Sequence, residues 1–398
     1  MKLDADMPPL DAAPQANPTH GPSDLGCVMG GGGARAAYQV GVLRAVARRF
    51  PELRFPYITG VSAGAINAAL LAGHHGSFLQ AVRELSQLWG NLHVDDVFRV
   101  DPRSLAVNGM RWIKQVASGG HAKRRKVRGL VDTSPLRGFL TEALHAVDGE
   151  ITGVQYNLDH GRLKAVAIST SSYSTGQSVT WVQGSDIDQW ERPQRRSHHT
   201  TISVEHIMAS AALPLLFPAI QLGNAWYGDG GIRLTAPLSP ALHLGARRIL
   251  AISTRYDRTA AEAEEPAIHD YPPPAQVAGV LLNSVFLDLL DNDAMRLERL
   301  NQLLEKTPPE HRNGLEPVRM MIFRPSMDLG KLAGEHELQL PKSFRFLTRG
   351  LGTQETKSPD FLSLVLFQPN YLRTLMEVGE ADAETRMDEL AEFLLAED

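Results

Sequence analysis

The sequence predicts an α/β fold, with a mainly parallel or mixed central sheet flanked by helices. Three observations point there. The chain opens as strand–helix–strand–helix, apolar strand-like runs recur later with helix-period stretches between them, and 43% hydrophobic content over 398 residues supplies a large core.

Taken in order, residues 1–24 carry prolines and acids with no apolar stretch, and read as a flexible tail rather than a secretory signal. Leu25–Met29 is a short apolar strand. Four glycines follow, Gly30–Gly33, and then an amphipathic helix over Ala34–Phe50. A second strand in FPYIT leads into Gly60-Val61-Ser62-Ala63-Gly64 and a helix over Ala63–Gly73, apolar on most sides and therefore buried. Further strands are expected at 163–170, 178–184, 247–254 and 318–325. Helices are expected at Val204–Ala212, Leu238–Leu244, Gln276–Glu305 and twice near the C-terminus. Two stretches interrupt the alternation as surface insertions: 101–130, basic and glycine-containing, and 255–275, acidic and then YPPP.

Composition narrows the function classes. A net charge of −5 gives no global attraction to nucleic acid or anionic membranes, so any such contact has to come from a local patch. Cys27 is the one cysteine and cannot form an internal disulfide, which fits a reducing compartment. The apolar run AINAALLAG from Ala65 falls far short of the ~20 residues that span a bilayer. The expectation is a cytoplasmic protein, soluble or peripheral to a membrane. No His, Cys, Asp or Glu cluster has metal-ligand spacing, so no metal or other cofactor is expected.

A glycine run between strand and helix lets several amide N–H groups point at one spot, where the helix dipole also favours negative charge. Such a loop binds an anion: a dinucleotide pyrophosphate, a nucleotide phosphate, or the oxyanion formed when an ester carbonyl is attacked. Gly31, Gly33 and Ala36 fit the loose dinucleotide pattern with Glu52 about twenty residues on, but Glu52 precedes the second strand instead of ending it. No Gly-Lys-Ser/Thr follows the glycines, which excludes a P-loop.

Gly60-Val61-Ser62-Ala63-Gly64 has the strand–turn–helix setting of a nucleophile elbow, where Gly60 and Gly64 give the serine room on a tight turn. The glycine loop and this turn lie one helix and one strand apart, so in a parallel pair they leave the sheet at the same edge. A hydroxyl nucleophile needs a base. One source is a late histidine, among His243, His269, His311 and His336; the other is Asp229, in Tyr227-Gly228-Asp229-Gly230-Gly231, which by itself also reads as an ordinary turn.

GGGGAR (30–35), GVSAG (60–64), MASAALPLLFP (208–218) and YGDGG (227–231), in that order, resemble the patatin-like phospholipases over roughly residues 25–255. The resemblance implies a three-layer α/β catalytic domain over 25–255. Residues 256–398 match no catalytic block and are expected as a mostly helical extension packed on that domain, the apolar spacing of its helices serving packing or a partner- or lipid-facing surface. The resemblance also implies a Ser–Asp dyad of Ser62 and Asp229, with no histidine required. It further implies an oxyanion hole from the amides of Gly31, Gly32 and Gly33, with Arg35 either fixing that loop or pairing with a carboxylate. Pro214 is expected to end the helix of the MASAALP block. An asparagine common after the Asp-Gly-Gly turn in relatives is absent here, where the chain reads IRLTAPLSP.

By the same resemblance the substrate is a phospholipid or other fatty acyl ester, cleaved through an acyl-enzyme. An acyltransferase would share the nucleophile, a nucleotide-binding module would use the glycine loop alone, and a silent interaction protein would keep the fold without turnover. In the basic insertion, Lys123, Arg124, Arg125 and Lys126 form a run with no acid, read either as a solvated loop or as a peripheral membrane contact. The segment lacks the interleaved aromatics of a nucleic-acid surface, so no nucleic-acid partner is expected.

Overall fold

The computed structural model describes residues 20–99, 110, 129–264, 268, 271–286, 289–356 and 358–395. Its strands are β1 (Leu25–Met29), β2 (Tyr57–Val61), β3 (Ala165–Ser172), β4 (Ser178–Gly184), β5 (Glu191–Arg192), β6 (Arg195–His199), β7 (Ile220–Leu222), β8 (Ala225–Asp229), β9 (Arg248–Ile252) and β10 (Arg319–Phe323). They form one mixed sheet in the order β10-β9-β1-β2-β3-β4-β6-β5, parallel from β10 to β3. The direction reverses at β4, and β8 pairs antiparallel with the far end of β3, Asp229 opposite Thr170.

Side chains alternate across the sheet and build two cores. Cys27, Met29, Ile58, Ile168, Leu250 and Ile252 point to one face, against α1 (Ala37–Arg49), α2 (Ala63–Gly73), α3 (Phe78–Asn91) and the late helix Pro369–Thr385. Val28, Tyr57, Ala167, Ile249 and Ala251 point to the other, against the helices Ser239–Leu244 and Leu289–Glu305. The result is the three-layer α/β arrangement with a helical C-terminal region, which also contributes β10 to the sheet.

Differences from the sequence reading have local causes. The second strand runs over Tyr57–Val61 instead of FPYIT, because Pro56 has no N–H for the ladder; its carbonyl instead accepts from Lys164 and Ala165. Gly33–Ala36 is a 3₁₀ turn, and the α-helix starts only at Ala37. The helix of the MASAALP block spans Val204–Ser210 and ends four residues before Pro214. The expected helix over Gln276–Glu305 is described as Pro274–Phe286 and Leu289–Glu305, with residues 287 and 288 outside the described residues, and its second part buries Leu290, Ala294 and Leu297 on the far face of the sheet. Lys123, Arg124, Arg125 and Lys126 lie outside the described residues. Among the described residues no helix is long and apolar enough to cross a membrane.

Candidate active site

Parallel pairing of β1 with β2, Met29 opposite Gly60, sends the glycine loop and the Ser62 turn out of the same sheet edge. Ser62 has φ 56° and ψ −132°, a left-handed turn conformation that costs a non-glycine residue about 1–3 kcal/mol. The turn is held on both sides. A side chain at Gly64 would collide with the carbonyls of Met29 and Gly30, and one at Gly60 would lie 2.6 Å from the Gly64 carbonyl, so only glycine lets α2 start against the loop. The Ser62 amide donates to Ser210 Oγ (2.9 Å), which itself donates to the Ser169 carbonyl on β3 (2.7 Å). Ser210 lies in the MASAALPLLFP block, which by itself gives the serine no role.

Asp229 arrives from the other side. It is the last residue of β8, and its amide donates to Ala212 O (3.0 Å), tying it to the segment after the helix Val204–Ser210. Its side chain is fully buried. Oδ2 accepts from Ser62 Oγ (2.6 Å) and Oδ1 accepts from the Gly231 amide (2.9 Å). Burial pushes the carboxyl up to about 7, and those two hydrogen bonds only partly offset it. Of the late histidines, His243 stacks on Trp190, His336 hydrogen-bonds Gln339, and His269 is outside the described residues. Asp229 is the side-chain partner of Ser62 Oγ among the described residues.

The glycine loop lies against the serine: a Cβ on Gly31 would sit 3.6 Å from Ser62 Oγ. Its carbonyls are tied back, Gly31 O by Thr254 Oγ1 (2.6 Å) and Gly30 O by Gln39 Nε2 (2.8 Å), the latter at the end of a buried chain running from Trp89 through Asn67. The amides of Gly31 and Gly32 donate to no protein group among the described residues. Glu52, the acid a nucleotide reading would need, precedes β2 and so lies at the opposite sheet edge.

Arg35 turns toward the C-terminal region. Its Nε donates to Ser363 Oγ (2.6 Å) and its terminal nitrogen to Asp360 Oδ1 (2.6 Å), both on the helix Asp360–Val365. That helix passes so close that a side chain at Gly33, whose φ is +55°, would overlap the Leu364 carbonyl. Arg35 thus bolts the loop to a segment beyond the family-like blocks. Asp360→Ala would leave a nearly buried guanidinium without its carboxylate, held by the Ser363 hydroxyl and a long 3.5 Å contact to the residue-360 carbonyl, and is expected to lower stability by about 3 kcal/mol. A denaturant midpoint equal to wild type would contradict that.

Beside Ser62 opens an apolar pocket lined by Ile66, Trp89, Leu136, Phe139, Leu213, Phe217, Leu364, Val365 and Phe367. Its free volume of about 50 Å³ is well below the ~150 Å³ of a cavity that admits benzene, so side chains have to part before a long chain enters.

Solved structures and one sequence profile are similar to this chain. VipD from Legionella pneumophila is 12% identical, with 92% of this chain and 67% of that one covered at a TM-score of 0.39. Human GIVD cytosolic phospholipase A2, solved with methyl γ-linolenyl fluorophosphonate, is 12% identical, with 93% of this chain and 59% of that one covered at a TM-score of 0.42. The chain therefore spans about three-fifths of the human enzyme. No curated protein matches it in sequence. The sequence profile of patatin-like phospholipases matches residues 27–242, more than half of the chain and enough to include the glycine loop, Ser62 and Asp229; the chain belongs to the patatin-like phospholipase family.

Proposed function

We propose that this protein is a lipid acyl hydrolase of the phospholipase A or lysophospholipase type, using Ser62 as nucleophile and Asp229 as base. The observation that carries the reading is the 2.6 Å hydrogen bond from Ser62 Oγ to a buried carboxylate, made beside an apolar pocket. In the reaction, Asp229 takes the Ser62 proton as Oγ attacks the fatty acyl carbonyl. The oxyanion is met by the amides of the glycine loop, Gly31 and Gly32 foremost, where one donor is worth about 10²–10³ in rate. Collapse breaks the ester bond, and the departing alkoxide takes the proton from Asp229. Water then enters, gives its proton to Asp229 and releases the fatty acid, returning the proton to Ser62.

The test is direct. A fluorophosphonate probe should modify the protein at Ser62, mapped by mass spectrometry, and Asp229→Asn should slow that labelling; an adduct at any other residue would overturn the assignment. The pH dependence has a defined sign. Only the ionised carboxylate accepts the serine proton, so kcat/KM for a soluble short-chain ester should fall about tenfold per pH unit below about 7. A rate flat down to about pH 5, two units below that value, would mean the base is another group.

A further inference from the structure

The helix Pro274–Phe286, here α4, carries no charged residue. Its inner side packs on the glycine-loop partner, with Gly279 against Asp360, and it borders the turn after Asp229. Val277, Val280 and Leu281 face outward with Ser284 in one helical stripe, and Leu281 is 61% exposed. A surface helix ordinarily turns polar residues that way. Helix Lys342–Gly350, here α5, behaves similarly. Its Phe344 is buried against Phe98, which also meets Phe217 and Phe367 of the pocket, while Phe346 is 82% exposed. Around Phe346 stand Lys342, Arg345 and Arg349, and the helix has no acid. The two helices join: the Ala275 amide donates to Leu351 O (2.8 Å), and Gly352 lies against Pro273. A third apolar group, Leu215, is 71% exposed in a left-handed conformation between the pocket residues Leu213 and Phe217.

Each of these exposed apolar groups adjoins an element of the pocket or of the Ser62–Asp229 site. We infer that the outer faces of α4 and α5, with Leu215, form the surface on which this protein docks to an anionic lipid bilayer. The inference rests on the acyl-hydrolase reading for its occupant, since a substrate held in a membrane has to reach the pocket from a bound surface. The charge argument is separate. A chain of net charge −5 is repelled by anionic lipid unless a local patch reverses the sign, and α5 supplies cations among apolar side chains at the level of a headgroup layer. The apolar stripe enters the acyl boundary, and Lys342 and Arg349 meet the phosphates.

The experiment uses full-length protein and vesicles of phosphatidylcholine with or without phosphatidylglycerol. Binding is read by co-sedimentation and chemistry by a soluble short-chain ester. Leu281→Ser and Phe346→Ser should each lower binding to both vesicle types about tenfold. Lys342→Gln with Arg349→Gln should lower binding to the anionic vesicles alone, about fivefold per charge. Turnover of the soluble ester should stay at the wild-type level throughout. Vesicle binding indifferent to all four substitutions overturns the proposal. So does loss of soluble-ester turnover in step with binding, which would make these side chains props of the site. Sedimentation of wild type as a dimer that Phe346→Ser dissolves would assign the surface to a second copy of the chain. If wild type turns over no ester while binding still responds as stated, the docking surface stands and the hydrolase reading fails.

Discussion

Ser62→Ala is expected to reduce ester turnover by about 10⁴-fold or more and leave the fold intact, a loss on the scale seen when members of a nucleophile–base unit are removed. The substitution deletes one oxygen and no packing. The Ser62 amide still reaches Ser210 Oγ, and the glycines on either side still allow the turn. What remains is a buried Asp229 that has lost one of its two hydrogen-bond donors. The alanine keeps the unfavourable φ of 56°, whereas Ser62→Gly relieves it, so the glycine variant should be as inactive but more stable than the alanine by about 1 kcal/mol. Activity above a tenth of wild type in either variant, or a fold lost in both, would remove Ser62 from the centre of the reaction.

Much of the site's local form was legible in the sequence, because a strand, a tight turn and a helix start are short-range matters. The Ser62 turn and the helix Ala63–Gly73 stand where the pattern of small residues put them. Asp229 is different. Its neighbours suggested an ordinary turn, yet it ends a strand, and it meets Ser62 across 167 positions only because β8 pairs with β3. Residue patterning carries no sign of that pairing, since β7 and β8 are short and only partly buried, so the partnership came from resemblance. Ser210 stands within the MASAALPLLFP block, yet neither that block nor the neighbours of Thr254 and of the buried Trp89–Asn67–Gln39 chain announce the contacts, since each residue matters through what it touches. The apolar spacing of the C-terminal helices suits packing or a partner- or lipid-facing surface. One of them, Asp360–Val365, nevertheless lines the pocket and holds Arg35, an arrangement visible only once the chain has folded back on its own glycine loop.

Asp229→Asn is expected to be nearly as inactive as Ser62→Ala, about 10⁴-fold below wild type, and more stable than wild type above neutral pH. The amide is close in shape and can still accept from the Gly231 amide and donate to Ser62 Oγ, but it cannot take a proton. The stability effect follows from linkage. Burial raises the Asp229 carboxyl from 3.8 to about 7, so between those values the native state holds a proton that the unfolded chain has released. Wild-type stability from this group is therefore fullest below about pH 4 and declines as pH rises to about 7, for a total on the order of 4 kcal/mol. Asparagine carries no charge to bury and removes that slope. Denaturant midpoints of the two proteins should approach each other near pH 4 and separate, variant above wild type, by about pH 8. A variant less stable than wild type at about pH 8 would mean that the hydrogen bonds of Asp229 outweigh its burial. Its carboxyl would then titrate too low to act as a base near neutrality, and the missing acidic limb in the pH profile would say so independently.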